Sequence, residues 1–380
     1  MTGQPLEGSD AVPHPGYRLA LLDWLACAAR GRSERAAIAA ARAGDGLLDR
    51  VAAAAAAGHV LDYDDTWTPG LAHLSAPTAS AALVVAADAG ATAGVAASAY
   101  AAGFEAMAAL ARASHPALYD AGRHPTAVCG TVGAAVAAGA VLGFGEEAQD
   151  AAAALALAGA GGVLAAFGSD AKALQVGMAA ATGVHAALLA AGGARAHPPE
   201  RYAAAVGLTW ARPGDERAID GNWIKAYPCC LQTHTAIEAA LSAPPLEGPV
   251  ELAVHPLARA AASVDVPEDG LQAKFSLPYL VAFALERGAP SVDDFAELAD
   301  VDLARVTVAL DPALGEQEAV LSAGGEDVAR VIAALGSPER PMTAEQLAAK
   351  VHDLAGDRLD GVLDDPERPA RDVLEAAGVA

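Results

Sequence analysis

The stretch TASAALVVAADAGATAGVAASAYAAGFEAMAALARAS, residues 78–114, decides how the chain is to be read. Alanine dominates it, and alanine has the best helix propensity and loses no side-chain entropy on ordering. Serine and threonine stand at the starts and Gly90 interrupts the run, so it reads as two helices broken near that glycine. Side chains this small let neighbouring helices approach closely, and a tightly packed helical bundle is the expectation.

The same character extends outward on both sides. YRLALLDWLACAARG reads as an amphipathic helix ending near Gly31, and an Ala-rich helix around residues 46–57 follows it. HPTAVCGTVGAAVAAGAVLGF starts a helix at its Pro-Thr pair and stops it at Gly143, and helices over 147–167 and 171–192 come next. Residues 1–16 read as a disordered N-terminus. After Gly192, proline, glycine and mixed charge mark a boundary. PVELAVHP and ARVTVALDP then alternate like strands, while SVDDFAELAD and EDVARVIAALG read as helical. The expected organisation is mainly α: a large all-helical domain from 17–222 and 341–380, with a smaller α+β lid from 223–340. TAEQLAAKVHDLAG and PARDVLEAAGVA supply the closing helices.

Composition limits the function. Hydrophobic residues make up 54% of 380 residues but aromatics only 4%, and the net charge is −23. Nucleic acid and anionic membranes need a basic footprint that is missing here. The uncharged runs 124–145 and 151–169 are alanine and glycine rather than leucine and phenylalanine, so no membrane span is expected. Four cysteines (Cys27, Cys129, Cys229, Cys230) make no disulfide framework, and no signal peptide precedes them, which points to the cytoplasm.

Polar chemistry is concentrated at five places. HVLDYDDTWTPGLAHLSAP (59–77) holds Asp62, Asp64, Asp65, His59, Thr66 and His73. The others are AGRHPTAVCG with His124, FGSDAKALQVG with Lys172, NWIKAYPCCLQTH with Lys225 and His234, and LQAKFSLPYL with Lys274 and Tyr279. A lysine in apolar context either extends to solvent or binds an anion, and three of them near histidines suggest a carboxylate pocket. Histidines at loop-to-helix junctions suit general acid–base work. The clustered aspartates could instead ligate a divalent cation, or make ordinary turn and cap contacts. No HExxH, paired CxxC, EF-hand, phosphate-loop or G-x-S-x-G pattern occurs.

Taken in order, LDYDDTW…HLSAP, GRHPTAVCGTVGAA, KALQVGMAAATGVHAALLA, KAYPCCLQTHTAIEA and LQAKFSLPY resemble the MmgE/PrpD family, which contains 2-methylcitrate dehydratase, cis-aconitate decarboxylase and iminodisuccinate epimerase. LALLDWLACAARG resembles that family's first helix. The resemblance implies a helical domain built from both chain ends, a smaller α+β lid and a homodimer. It also implies a lyase or isomerase that removes a proton α to a carboxylate of a small di- or tricarboxylic acid, without metal or organic cofactor. An epimerase, a decarboxylase acting through the same residues, and a binding homologue without catalysis are the alternatives. By motif position it implies catalytic roles for His124, His73, Asp62 and Lys172. Substrate contacts would come from Thr66, Lys225, His234, Lys274 and Tyr279. Asp64 and Asp65 are expected only to shape and cap the turn. The sequence departs from the family pattern at Leu74 in HLSAP, at Gln175 where a histidine is usual, at Arg123 where an aromatic is common, and at Cys230, where the decarboxylase branch has a histidine. The region between the first helix and residue 59 is also shorter than usual for the family.

Overall fold

The computed structural model describes residues 14–380, and most of the N-terminal segment expected to be disordered lies outside them. Residues 15 and 16 are helical, contrary to that expectation. Pro15 sits where no amide donor is needed and the His14 imidazole accepts the Gly16 N–H, so the first helix starts two residues early.

The described residues form sixteen α-helices and four strands. In chain order the helices are α1 (Pro15–Gly31), α2 (Arg35–Ala43), α3 (Leu47–His59), α4 (Ser75–Asp88), α5 (Ala93–Ser114), α6 (Ala117–Asp120), α7 (Pro125–Val141), α8 (Glu146–Ala158), α9 (Ala171–Ala191), α10 (Pro199–Ala205) and α11 (His234–Ser242). Then come β1 (Val250–Val254), α12 (Pro256–Ala261), α13 (Gly270–Ala273), α14 (Leu277–Arg287), β2 (Val306–Leu310), β3 (Ala319–Ala323), β4 (Glu326–Val331), α15 (Ala344–Ala355) and α16 (Ala370–Ala377).

Helix α7 is the hub. It is buried along nearly its whole length and packs against α4, α5, α8 and α9. Glycines make this possible by close approach rather than by special backbone angles. A Cβ on Gly103 of α5 would stand 2.6 Å from the Gly133 carbonyl of α7, and one on Gly183 of α9 would stand 2.3 Å from the Thr131 carbonyl. The small-residue composition therefore sets the interhelical spacing, and methyl groups interlock at a density that a Leu-rich bundle would reach at a wider spacing. α5 and α9 are long and apolar enough to cross a membrane, yet about half of each lies inside the protein, against α7. From the other end of the chain, α15 packs on α1 and α16 packs on α4 and α1, so their side chains join the same core.

A second apolar core forms around a four-stranded sheet of order β2-β1-β3-β4. β1 runs parallel to β2 and antiparallel to β3, and β3 and β4 form a hairpin. α11 and α14 pack on this sheet. Three sequence expectations fail here. EDVARVIAALG is strand β4, not helix. Gly324 and Gly325, both at positive φ, turn the chain straight back from β3, and the ladder pairs Val331 with Ala319 and Ala329 with Leu321. SVDDFAELAD makes only one 3₁₀ turn, Asp293–Phe295. The helix expected over 147–167 stops at Ala158, because Gly159, Gly161 and Gly162 release the chain into a loop that passes over the start of α7.

Candidate active site

The segment between α3 and α4 folds into the first wall of the site. His59 ends α3, and the chain turns sharply at Asp62, which takes a left-handed conformation at φ 53°. An aspartate tolerates this region better than most residues, but it still carries strain that the surroundings must hold. Those surroundings are two lysines. Asp62 Oδ1 lies 2.8 Å from Lys225 Nζ and 3.1 Å from Lys172 Nζ, and Lys225 also donates to the Asp62 carbonyl. Burial pushes the Asp62 carboxyl up, but Lys172 and Lys225, with His73 and His59, outweigh it and hold the group well below the usual carboxylate range.

Asp64 and Asp65 diverge from one another. Asp65 caps α4, accepting the Ser75 N–H and hydroxyl at 3.2 and 2.7 Å and the Asn222 amide at 2.7 Å. Burial, reinforced by Asp64, pushes its carboxyl up to about 7. Asp64 is no turn residue; this corrects the expectation from sequence. Its Oδ2 lies 2.9 Å from His59 Nδ1 and 3.3 Å from His73 Nδ1. Burial raises it, but the two imidazoles more than reverse that, and it is ionised. The His59 imidazole is fully buried, and burial brings its pKa down to about 4 against the pull of Asp64.

His73 is therefore held from two sides. Its Nδ1 faces Asp64, and also lies 3.4 Å from the Thr66 hydroxyl, while its Nε2 lies 3.5 Å from Asp62 Oδ1. Its main-chain N–H is anchored on the Thr126 hydroxyl of α7. His124 caps the same end of α7, stacked 6.1 Å from His59. Lys172 and Gln175 stand one turn apart on α9, spaced i and i+3, so both face this point. Gln175 Nε2 donates to His124 Nδ1 at 2.7 Å. Lys172 makes its ion pair with Asp62 but no aligned hydrogen bond, which leaves its N–H donors available, and the rings of Phe167 and Phe275 flank it at 5.4 and 5.6 Å.

Asp62, Thr66, His73, His124 and Lys172 line one cleft of about 520 Å³. Its remaining wall is mostly apolar, made by Leu71, Tyr119, Phe167, Leu231, Leu257 and Phe275 with Cys230. A smaller cavity of about 300 Å³ adjoins it through Asp62, Lys172 and Phe275, and Lys274 lines that one. Lys274 donates to the Leu61 carbonyl at 2.7 Å, and burial brings its pKa down to about 8. Three of the expected substrate contacts lie elsewhere. Lys225 lines neither space; it is fully buried and acts on Asp62. His234 is buried against Tyr227, with Nε2 3.4 Å from the Cys229 carbonyl. Tyr279 sits in the first turn of α14, and its phenol oxygen accepts the Ala299 N–H inside the second core. Arg123 is held by the Gly162 carbonyl instead of facing the cleft.

Sequence reading did not find Lys350. It is buried on α15 and ties the site to the other end of the chain, 2.6 Å from Asp23 of α1 and donating to the carbonyls of Tyr63 and Lys225. The i, i+3, i+4 apolar pattern of α15 makes position 350 an inward one, and that was the available signal.

The ligand atoms of His59, Asp64 and His73 lie within 4.8 Å of one another, a spacing that a metal ion could use. Asp64 Oδ2 already faces both imidazole Nδ1 atoms, while Asp64 Oδ1 and His59 Nε2 make no hydrogen bond, and the Lys172 charge, which adds to burial in lowering His59, opposes a cation there.

Residues 48–212 match the MmgE/PrpD N-terminal domain, and residues 227–375 match the MmgE/PrpD C-terminal domain. The chain belongs to the MmgE/PrpD family. Members of the family are generally enzymes of the dehydratase or lyase type. No curated protein matches this MmgE/PrpD chain. The C-terminal match runs through the sheet region and on into α15 and α16, which return to the helical core.

Proposed function

We propose that this MmgE/PrpD protein is a metal-independent lyase or isomerase, similar to 2-methylcitrate dehydratase, that removes a proton α to a carboxylate of a small di- or tricarboxylic acid. One observation carries the reading: Asp62, His73, His124 and Lys172, from three separate segments, converge on a single largely buried cleft.

The arrangement answers what that chemistry requires. As the C–H bond breaks, its electron pair spreads onto the adjacent carboxylate, and a cation must meet the growing charge. Lys172 has free donors for this, and Asp62 supplies the counter-charge that keeps a buried lysine tolerable when no substrate is present. Phe167 and Phe275 keep water from the ammonium group, which strengthens its field. His73 and His124 form the acid–base pair. Lys274 offers a second carboxylate site across the shared wall. The apolar side of the cleft suits a substrate arm without charge.

A reducing compartment such as the cytoplasm fits four cysteines that are all free and buried. A homodimer fits the outer face of α9, where Met178 is 61% and Leu189 45% exposed on one side of the helix. Sedimentation should show a dimer that Met178→Glu weakens, and a wild-type monomer at micromolar concentration would reject it. For the reaction, NMR would follow 2-methylcitrate, cis-aconitate and aminated dicarboxylates with the protein kept in excess chelator. Turnover of at least one is expected. Turnover only after a divalent metal is restored would reject the metal-independent reading, and none under either condition would reject this substrate class.

A further inference from the structure

We propose that Gln175 is a positioning residue that locks His124 as the neutral tautomer protonated on Nε2, making His124 a hydrogen-bond donor and leaving His73 to take the proton. This rests on the acid–base reading above but is measured independently of it.

The Gln175 amide is held by the main chain at both ends. Its Oε1 accepts the Val163 N–H at 2.9 Å, and its Nε2 donates to the Val163 carbonyl at 3.2 Å as well as to His124 at 2.7 Å. Turning the amide over would set oxygen against the Val163 carbonyl and NH₂ against the Val163 N–H. Two main-chain groups thus fix which end faces His124. An amide nitrogen donates and does not accept, so His124 Nδ1 must present its lone pair and the ring proton must sit on Nε2. Charging the ring would set a second N–H against the amide.

The groups around the ring agree. Burial disfavours the imidazolium, and Lys172 of α9, His59 of α3 and His73 of the intervening segment add to this, while Asp62 alone opposes it. His73 instead stands between two carboxylates. Asp64 takes its Nδ1 side and Asp62 lies near Nε2, so a proton gained at Nε2 would be met by negative charge on both sides. In the step that follows, the α C–H bond breaks, the proton passes to His73 Nε2, and the electron pair delocalises onto the substrate carboxylate. His124 Nε2–H donates a hydrogen bond to the oxygen that gains charge.

The test is ¹⁵N NMR of histidine-labelled full-length protein without substrate, with His124 assigned by difference against His124→Asn. The expected result is a neutral ring with Nε2 protonated and Nδ1 bare across neutral pH. A protonated Nδ1, or an imidazolium at neutral pH, overturns the proposal whether or not any substrate is known. Gln175→Glu puts an acceptor against Nδ1 and should move the proton there. With a turned-over substrate, kcat should then fall about 100-fold, the scale of losing one oxyanion donor, with KM little changed. A moved proton with unchanged kcat would overturn the donor role.

Discussion

Replacing Lys225 with methionine removes one of the two cations on Asp62 while keeping much of the side-chain volume. Lys225 is fully buried and 2.8 Å from the carboxylate, so the gross attraction is about 6 kcal/mol at an effective dielectric near 20. Desolvation already offsets part of that. Breaking a buried pair from one side costs roughly 3–5 kcal/mol, since the abandoned charge stays buried. Lys172 remains 3.1 Å away and moderates the loss, so we expect the lower end, about 3 kcal/mol. In a chain of this size that lowers the melting temperature by roughly 4 °C. Chemical denaturation of wild type, Lys225→Met, Asp62→Asn and the double variant closes the cycle. The double variant should be less destabilised than the sum of the singles by at least about 2 kcal/mol, because each single leaves a partner unpaired. Additivity within about 0.5 kcal/mol would show that the two side chains are not coupled, and the account of how Asp62 is held would fail.

Other expectations follow from the same geometry. Lys172→Met should weaken carboxylate binding by about 10- to 100-fold, the worth of a charge-assisted hydrogen bond, with the fold intact by circular dichroism; calorimetry with the turned-over acid measures it. Burial depresses Lys274, which is charged below about pH 8. Carboxylate affinity should therefore decline as pH rises through that value, and Lys274→Met should lose this limb. The sign for stability is the reverse. Between about pH 8 and the ordinary lysine value near 10.4 the unfolded chain binds the extra proton, so this group makes the fold more stable as pH rises. Denaturation midpoints of Lys274→Met against wild type over that range would show the difference.

The helical bundle was legible in the sequence because alanine and glycine spacing carries its own packing logic. The helix starts at Pro125 and the stop after Gly31 came from local capping chemistry. Strand β4 was missed because Val328, Val331 and Ile332 suit a helix period as well as a strand, and only pairing with β3 decides. The site was legible as a set of residue types, but not as a division of labour. Asp64 and Asp65 are neighbours in sequence, and nothing local distinguishes the one between two imidazoles from the one that caps α4. Lys225 and Tyr279 share motifs with site residues, yet their side chains run inward, to Asp62 and to Ala299. Direction of this kind depends on how separate segments cross.

The central claim is proton removal next to a carboxylate by the His73 side of the cleft. Its most direct measurement is deuterium incorporation, by NMR in deuterated water, into a bound or turned-over di- or tricarboxylic acid, with wild type beside His73→Asn. The account predicts label at the carbon α to a carboxylate with wild type, and a rate about 10²- to 10⁴-fold lower in the variant, the range for losing a general base. Equal incorporation by both proteins, or turnover by wild type that leaves the original proton on that carbon, would contradict it.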